Sequence, residues 1–265
     1  MSRGAIKLKI SQGVARVTMA RPEKHNAFDD VLIGDLTRVF QSVSADEAVR
    51  VVVLAGEGKS FSAGADLAWM QRMADYSEAE NLEDARQLAA MMKVLNEMPK
   101  PTIAQVQGAA FGGGVGLVAA CDIAVASQVA NFCLSEVRLG LIPSVISPYV
   151  VEAIGARASR RFFQTAERFG ADEAFALGLV DDVVATDGLE ARVEEFVSML
   201  LNNGPEAMAA SKDLIRRVSA GAVDSEMIDD TAHRIAKIRA TDEGREGVSA
   251  FLEKREAAWR TKIES

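Results

Sequence analysis

The sequence predicts an α/β core followed by a wholly helical C-terminal region. In the core, a short apolar strand, a glycine-containing loop and the start of a helix follow one another twice, over residues 51–70 and 102–120. This order is typical of folds with parallel central strands. After about Asp187 the apolar residues recur only at helical spacing, so the strand pattern has ended. We therefore expect a core over residues 1–186 and a helical region over residues 187–265.

The individual elements follow in chain order. Residues 6–10 and 14–20 alternate between apolar and polar side chains around Gln12 and Gly13, which predicts a β-hairpin. Apolar residues at helical spacing after two aspartates predict a helix over residues 29–43. Short apolar runs predict buried strands at 49–56, 102–108 and 122–127, and four helical segments are predicted at 189–203, 205–220, 224–240 and 241–259.

Composition and charge exclude several classes of protein. The 265 residues are 49% apolar and 26% charged, as in ordinary soluble domains. The net charge of −8 argues against general nucleic-acid binding. No apolar run approaches the ~18 residues that a membrane span needs, and the N-terminus lacks the pattern of a signal peptide, so we expect a cytoplasmic protein without a membrane partner. With two separated cysteines and two histidines, we expect no metal site.

Two glycine-rich loops are the candidate functional elements. The first is "SFSAGADL" at residues 60–67, in which Asp66 is positioned to cap a helix, and the second is "FGGGVGL" at residues 111–117. Neither loop matches the phosphate-binding or dinucleotide-binding glycine motifs. Each loop alone is compatible with a tight turn or close helix packing. Together they offer backbone N–H groups from two helix starts, which can converge on one oxygen as an oxyanion hole.

The chain resembles the enoyl-CoA hydratase/isomerase (crotonase) superfamily. The resemblance rests on "RPEKHNAF", "SFSAGADL", "VQGAAFGGGVGLVAACDIAVAS", "SEVRLGLIPS" and "SAFLEKR", which occur in the family's order across residues 21–255. It implies a β/α superhelix of two stacked sheets, a helical C-terminal region that builds homotrimers or homohexamers, and acyl-CoA thioesters as substrates. It also implies that the backbone N–H groups of Ala65 and Gly113 hold the thioester oxygen.

The resemblance also directs attention to two glutamate positions. Hydratases of this family usually carry one glutamate two residues after the triple glycine, where this chain has Gly116, and a second that corresponds to Glu136. Glu136 is therefore the candidate acid/base, and a carboxyl in that role needs a pKa raised by apolar surroundings.

Three functions remain open. The first is hydration of a branched 2-enoyl-CoA, because the chain is similar to bacterial 3-methylglutaconyl-CoA and isohexenylglutaconyl-CoA hydratases. The second is isomerisation of the double bond, which the glycine at Gly116 favours because family members with one glutamate are often isomerases. The third is acyl-CoA binding without catalysis.

Further residues are predicted to bind the substrate, whose CoA moiety would make a separate cofactor unnecessary. For a distal carboxylate of the acyl group the candidates are Arg72, Arg138, Ser144 and Ser147, although the two serines could instead cap the following helix. A lysine late in the chain is expected to come from a neighbouring subunit. The predicted substrate-binding set is Lys24, Ala63, Gly64, Asp66, Leu67, Gly112, Gly114, Ser144 and Lys254.

Overall fold

The computed structural model describes residues 4–219 and 221–260. In this part of the chain the strands are β1 (Ile6–Ser11), β2 (Val14–Met19), β3 (Val51–Gly56), β4 (Ser60–Ser62), β5 (Thr102–Val106), β6 (Ala109–Phe111), β7 (Ile123–Ser127), β8 (Asn131–Cys133), β9 (Phe169–Gly170) and β10 (Asp182–Val184). The helices are α1 (Asp30–Ala45), α2 (Leu67–Met73), α3 (Glu78–Asn96), α4 (Gly113–Ala120), α5 (Ser147–Thr165), α6 (Ala171–Leu177), α7 (Leu189–Leu201), α8 (Pro205–Ser219), α9 (Ser225–Ala240) and α10 (Asp242–Glu253).

The larger sheet has six strands in the order β1-β2-β3-β5-β7-β10. β1 and β2 are antiparallel, and the strands from β2 to β10 pair in parallel. Gln12 and Gly13 connect the hairpin with φ values of 50° and 78°, the left-handed conformations that a tight hairpin turn requires. The predicted hairpin and the predicted parallel central strands are both confirmed.

The smaller sheet has four strands in the order β4-β6-β8-β9. β4, β6 and β8 are parallel, and β9 pairs antiparallel to β8. The main hydrophobic core joins this sheet to the larger sheet and to the helices around them, with fully buried residues such as Val17 of β2, Phe40 of α1, Met92 of α3, Leu117 of α4 and Phe132 of β8. The two sheets therefore share one core, and the predicted α/β fold with two sheets is confirmed.

The C-terminal region is helical, as predicted. α7 covers one face of the larger sheet, where Val193 and Val197 pack with Val53, Ile103 and Val125, while α8, α9 and α10 contact one another. A division at residue 187 would thus separate α7 from the sheet that it covers. The assembly into homotrimers or homohexamers stays a prediction.

One long helix, α3 (Glu78–Asn96), is absent from the predicted elements. It begins with a capping box in which the side chain of Ser77 accepts from the N–H of Glu80 and the side chain of Glu80 accepts from the N–H of Ser77, a sequence signal that marks a helix start. No helix in the described residues is long and apolar enough to cross a membrane.

The carboxylate of Asp122 connects the larger sheet to the C-terminal helices. It accepts hydrogen bonds at 2.8 Å from the backbone N–H of Thr102, from the Thr102 hydroxyl and from Nζ of Lys212 on α8. These contacts give Asp122 a structural role.

We expect Asp122→Ala to lower the free energy of unfolding by about 2–3 kcal/mol, because both Thr102 donors lose a charged acceptor. The matched variant Lys212→Met removes only the partly exposed ion pair and should cost about 1 kcal/mol or less. Urea denaturation of both variants measures the difference, and equal losses would contradict this division.

Candidate active site

Three neighbouring parallel strands end at the same edge of the smaller sheet. Ser62 of β4 pairs with Ala110 of β6, and Phe111 of β6 pairs with Cys133 of β8. The loops that follow these strands contain residues 63–66, residue 112 and residues 134–135. Because parallel strands place their carboxyl ends together, this edge is where a ligand is expected to meet the fold.

Close backbone approach brings the three loops into contact. A Cβ built on Gly112 would lie 3.2 Å from Oε1 of Glu136 and 3.9 Å from Cα of Gly64. A Cβ on Gly64 would lie 3.3 Å from the carbonyl oxygen of Phe111, and one on Gly114 would lie 2.7 Å from the carbonyl oxygen of Ser62. Gly64 and Gly112 also have φ values of +91° and +50°, so glycine is required there both by conformation and by space.

Ala65 and Gly113 carry the two predicted oxyanion donors. Among the described residues, neither backbone N–H donates a hydrogen bond. Ala65 is exposed and Gly113 half-buried, whereas Gly64, Gly112 and Gly114 are buried. Gly113 is the first residue of α4, where N–H groups have no partner within the helix. Both amides are therefore available to an oxygen that approaches from solvent.

Glu136 lies against Gly112 of the second glycine loop in a largely dehydrated position. It begins a single-turn helix, Glu136–Leu139, and its Oε2 atom is buried without a hydrogen-bond partner among the described residues. Burial raises the pKa of the Glu136 carboxyl, and its own backbone N–H only partly opposes that shift. A carboxyl with a raised pKa next to free amide donors can accept a proton and return it near neutral pH.

The space beyond Gly116 is filled by apolar side chains. A Cβ on Gly116 would lie 2.3 Å from Cγ2 of Ile146 and 3.0 Å from Cε of Met92, and both side chains are buried. Gly116 is one turn after Gly112 on α4, and such positions share one helix face. The space that a side chain at position 116 would need is thus occupied in this chain by Ile146 and Met92.

Asp66 anchors the first glycine loop. Its Oδ1 accepts from the N–H groups of Ala68 and Trp69, which confirms the predicted helix cap. Its Oδ2 lies 2.9 Å from Nζ of Lys24 and 3.7 Å from Arg21. The hydrogen bond from Lys24 and those from the two amides hold the Asp66 pKa below its usual value, against the opposing effect of burial. These contacts fix the loop, and a role of Lys24 or Asp66 in substrate binding stays a prediction.

The remaining predicted site residues differ in placement. Ala63 donates its N–H to the carbonyl of His25, and Leu67 begins α2 with 77% exposure. Ser144 is exposed in the loop before α5. Lys254 ends α10, a helix that contacts α8 and α9, and its predicted role across a subunit boundary is not tested by one chain.

Four residues were predicted as candidates to bind a distal carboxylate of the acyl group. The polar side-chain groups of all but Ser144 already have partners within the described part of the protein. Arg72 pairs with Asp30, and Arg138 donates to the carbonyl of Ala166. The interpretation of the two serines as helix caps is wrong, because Ile146 occupies the cap of α5 without a side-chain hydrogen bond. The Ser147 hydroxyl donates instead to the Ser144 carbonyl.

Several residues at the site were missed by reasoning from the sequence. Phe28 contacts both glycine loops, and Ile146 and Met92 fill the space at Gly116. Asn26 is fully buried and donates to the carbonyls of Glu57 and Ser60. The only signal for Phe28 and Asn26 was their place in "RPEKHNAF", and no local signal identifies Ile146 or Met92.

Comparison with known proteins gives a consistent picture. The family model "Enoyl-CoA hydratase/isomerase" matches residues 9–262. A structure from Legionella pneumophila, assigned to the enoyl-CoA hydratase/isomerase (crotonase) group, is 50% identical with a TM-score of 0.92, covering 97% of this chain and 100% of that one. A Thermus thermophilus protein assigned as an enoyl-CoA hydratase is 33% identical over 91% of this chain and 95% of its own. The 2,3-dehydroadipyl-CoA hydratase of Escherichia coli is 31% identical, with coverages of 92% and 94%.

The predicted family and crotonase-type fold are thereby confirmed, and so is the prediction of an enzyme of the enoyl-CoA hydratase type. This chain belongs to the enoyl-CoA hydratase/isomerase family.

Proposed function

We propose that this enzyme adds water across the double bond of a branched 2-enoyl-CoA, with 3-methylglutaconyl-CoA as the substrate. The observation that carries the proposal is the buried carboxylate atom Oε2 of Glu136, which has no hydrogen-bond partner among the described residues. It lies at the edge where the two glycine loops meet, and within the described part of the chain the N–H groups of Ala65 and Gly113 in those loops donate to no other residue. Such a set supplies an acid/base and an oxyanion hole without any further cofactor.

The oxyanion hole would bind the thioester carbonyl. As the nucleophile attacks Cβ, negative charge moves onto the carbonyl oxygen, and the N–H groups of Ala65 and Gly113 would stabilise the resulting enolate. Removal of one donor from an oxyanion hole typically costs about 3–4 kcal/mol of barrier. Glycine at Gly112 and Gly114 lets the backbone come close enough to the neighbouring loops for both donors to be presented together.

One carboxyl can perform both proton transfers. The carboxylate of Glu136 accepts a proton from water while the water oxygen bonds to Cβ. The neutral carboxyl then gives that proton to Cα, the enolate returns to a thioester, and the atoms of one water molecule have been added. The packing of Ile146 and Met92 against Gly116 favours this single-carboxyl route, because no second carboxylate can stand there.

The proposal of a glutaconyl substrate requires a group that meets a second carboxylate. Ser144 is the best candidate, since its exposed hydroxyl has no hydrogen-bond partner among the described residues. Arg72 could serve after exchange of its exposed partner Asp30. The E. coli relative named 2,3-dehydroadipyl-CoA hydratase supports the idea that this family accommodates an acyl chain with a distal carboxylate.

The other proposed features concern CoA and assembly. Lys24 lies on the loop before α1 with nearly half of its side chain exposed, so it could contact a CoA phosphate while it remains near Asp66. We further propose a cytoplasmic homotrimer or homohexamer in which Lys254 reaches a neighbouring subunit. Exposed apolar side chains on α8 to α10 support such an assembly, among them Ile215, Ile228, Phe251 and Leu252.

Isomerisation of the double bond is a second candidate, favoured by the same single carboxyl. Glu136 could remove a proton from one carbon of the acyl chain and return it to another. A panel of short and branched enoyl-CoA esters distinguishes the two reactions. Loss of the conjugated thioester absorbance with formation of a hydroxyacyl product supports hydration, whereas a shifted double bond with solvent-derived hydrogen and no hydroxyl product supports isomerisation.

We expect Glu136→Gln to reduce kcat by about 10²–10⁴-fold, the usual contribution of a general acid/base. The amide is nearly isosteric and keeps the surrounding packing, but it cannot accept the proton. The control Glu152→Gln changes an exposed glutamate on α5 and should leave kcat unchanged. Steady-state kinetics on the best substrate of the panel measures both, and full activity of Glu136→Gln would contradict the proposed role.

The raised pKa of Glu136 predicts two pH effects. Because the carboxylate is the active form, kcat/KM should fall with decreasing pH at a higher pH than an ordinary glutamate would give. The raised pKa also means that the folded state favours the protonated carboxyl of Glu136. The protonated carboxyl therefore stabilises the fold at low pH, and this stabilisation is lost as pH rises through the raised pKa. Glu136→Gln should therefore unfold at a higher temperature than the wild type at neutral pH, and the two should converge below the usual glutamate pKa.

We expect Gly116→Ala to destabilise the protein by about 1–3 kcal/mol, as overpacking does in a filled core. Helix propensity alone would favour alanine by about 1 kcal/mol, so the sign of the effect is diagnostic. The matched variant Gly34→Ala in α1 meets no atom within 4 Å and should be stabilising. Thermal unfolding compares them, and the added change Ile146→Ala should relieve part of the Gly116→Ala strain.

A further inference from the structure

We infer that Phe28 is a positioning residue that sets the separation of the two oxyanion donors, Ala65 and Gly113. The inference rests on the proposed function of those amides. Phe28 is 2% exposed and lies before α1, outside both glycine loops. It contacts one loop through its main chain and the other through its ring.

The main chain of Phe28 holds Ala65 from both sides. The N–H of Phe28 donates to the carbonyl of Gly64 at 2.6 Å, and the carbonyl of Phe28 accepts from the N–H of Asp66 at 2.7 Å. Phe28 and Ala65 thereby form an isolated parallel bridge. In extended backbone, successive N–H groups point to opposite sides. With the neighbouring groups turned toward Phe28, the N–H of Ala65 is directed away from it.

The ring of Phe28 lies against Gly113. A Cβ built on Gly113 would meet Cε2 of the ring at 3.0 Å, Cδ2 at 3.1 Å and Cζ at 3.7 Å. The ring therefore occupies the space that a side chain of Gly113 would need. Since an aromatic ring is rigid, it limits how far the start of α4 can move toward the first loop.

The other contacts between the two loops are made by backbone and Cβ atoms, as where a Cβ on Gly114 would meet the carbonyl oxygen and the Cβ of Ser62. The paired residues Ser62 and Ala110 lie before the donors, and the pairing is irregular between Ser60 and Ser62. Beyond the strand ends, the approach of Gly112 to Gly64 sets a lower limit to the distance between the loops. Phe28 alone among these residues combines hydrogen bonds to one donor loop with a side-chain contact to the other.

The spacing of the donors matters more to the transition state than to substrate binding. Oxyanion donors act at about 2.7–3.1 Å from the position that the charged oxygen takes in the transition state. An interaction that is stronger in the transition state than in the ground state affects kcat more than KM. A smaller, flexible side chain at position 28 would allow the separation of the two donor loops to change. The expected signature is a loss in kcat of about 10–100-fold, less than the 10²–10³-fold lost when one donor is removed, with KM nearly unchanged.

The test compares Phe28→Leu with Phe40→Leu in the complete protein. Phe40 is a fully buried phenylalanine of α1 in the same core, and it is the matched control for the loss of aromatic volume. The probe is butyryl-CoA with an isotopic label at the carbonyl carbon, a saturated acyl-CoA that has no double bond to hydrate. Infrared difference spectra measure how far binding lowers the carbonyl stretching frequency, and steady-state kinetics measure kcat and KM.

We expect the wild type and Phe40→Leu to lower the carbonyl frequency equally, and Phe28→Leu to lose at least half of that shift together with the loss in kcat. If Phe28→Leu does not fold, Phe28→Met keeps the volume with a flexible chain and should show the same loss. A wild-type shift and kcat in the folded Phe28 variant would overturn the inference. Absence of any shift in the wild type would overturn the oxyanion role of Ala65 and Gly113, and the inference with it.

Discussion

The structure of the site depends on the close approach of three strand ends at one edge of the smaller sheet. A Cβ on Gly112 would lie there 3.2 Å from Oε1 of Glu136, closer than an ordinary contact, and 3.9 Å from Cα of Gly64. A side chain at either glycine would separate the loops, and the left-handed φ values exclude most other residues. The conformational entropy that glycine loses on folding is the cost of bringing two amides and a carboxylate together.

The contacts that surround this edge stabilise an arrangement that is unfavourable by itself. In the described part of the chain, Oε2 of Glu136 is buried without a hydrogen-bond partner, which destabilises the ionised carboxyl. The N–H groups of Ala65 and Gly113 likewise donate to no described residue, which leaves hydrogen-bonding capacity unused. Asp66 compensates locally, because its carboxylate caps α2 and lies close to two cationic side chains. Apolar side chains buried between the larger sheet and its helices stabilise the fold that holds this edge of the smaller sheet.

The parts of the fold that follow local patterns could be predicted from the sequence. The hairpin at Gln12–Gly13, the parallel strands, the Asp66 cap and the helical C-terminal region all have signals within a few residues. The candidate site was located through the two glycine loops and Glu136. Ile146 could not be found in this way, because its contact with Gly116 joins segments that are distant in sequence. The prediction that Ser144 or Ser147 caps α5 was wrong. The residue at the cap position of that helix is Ile146, whose side chain has no hydrogen-bond acceptor.

Gly116 shows why the absence of a motif residue does not leave an empty site. Ile146 and Met92 occupy the volume, so that side of α4 presents hydrocarbon, and the raised pKa of Glu136 fits its dehydrated setting. In the proposed hydration, in which Glu136 is the single acid/base on one side of the acyl chain, the water oxygen and the returned proton would both come from that side. Addition across the double bond would then place hydrogen and hydroxyl on the same face. The packing of Ile146 against Gly116 would thus bear on the stereochemistry of the proposed reaction.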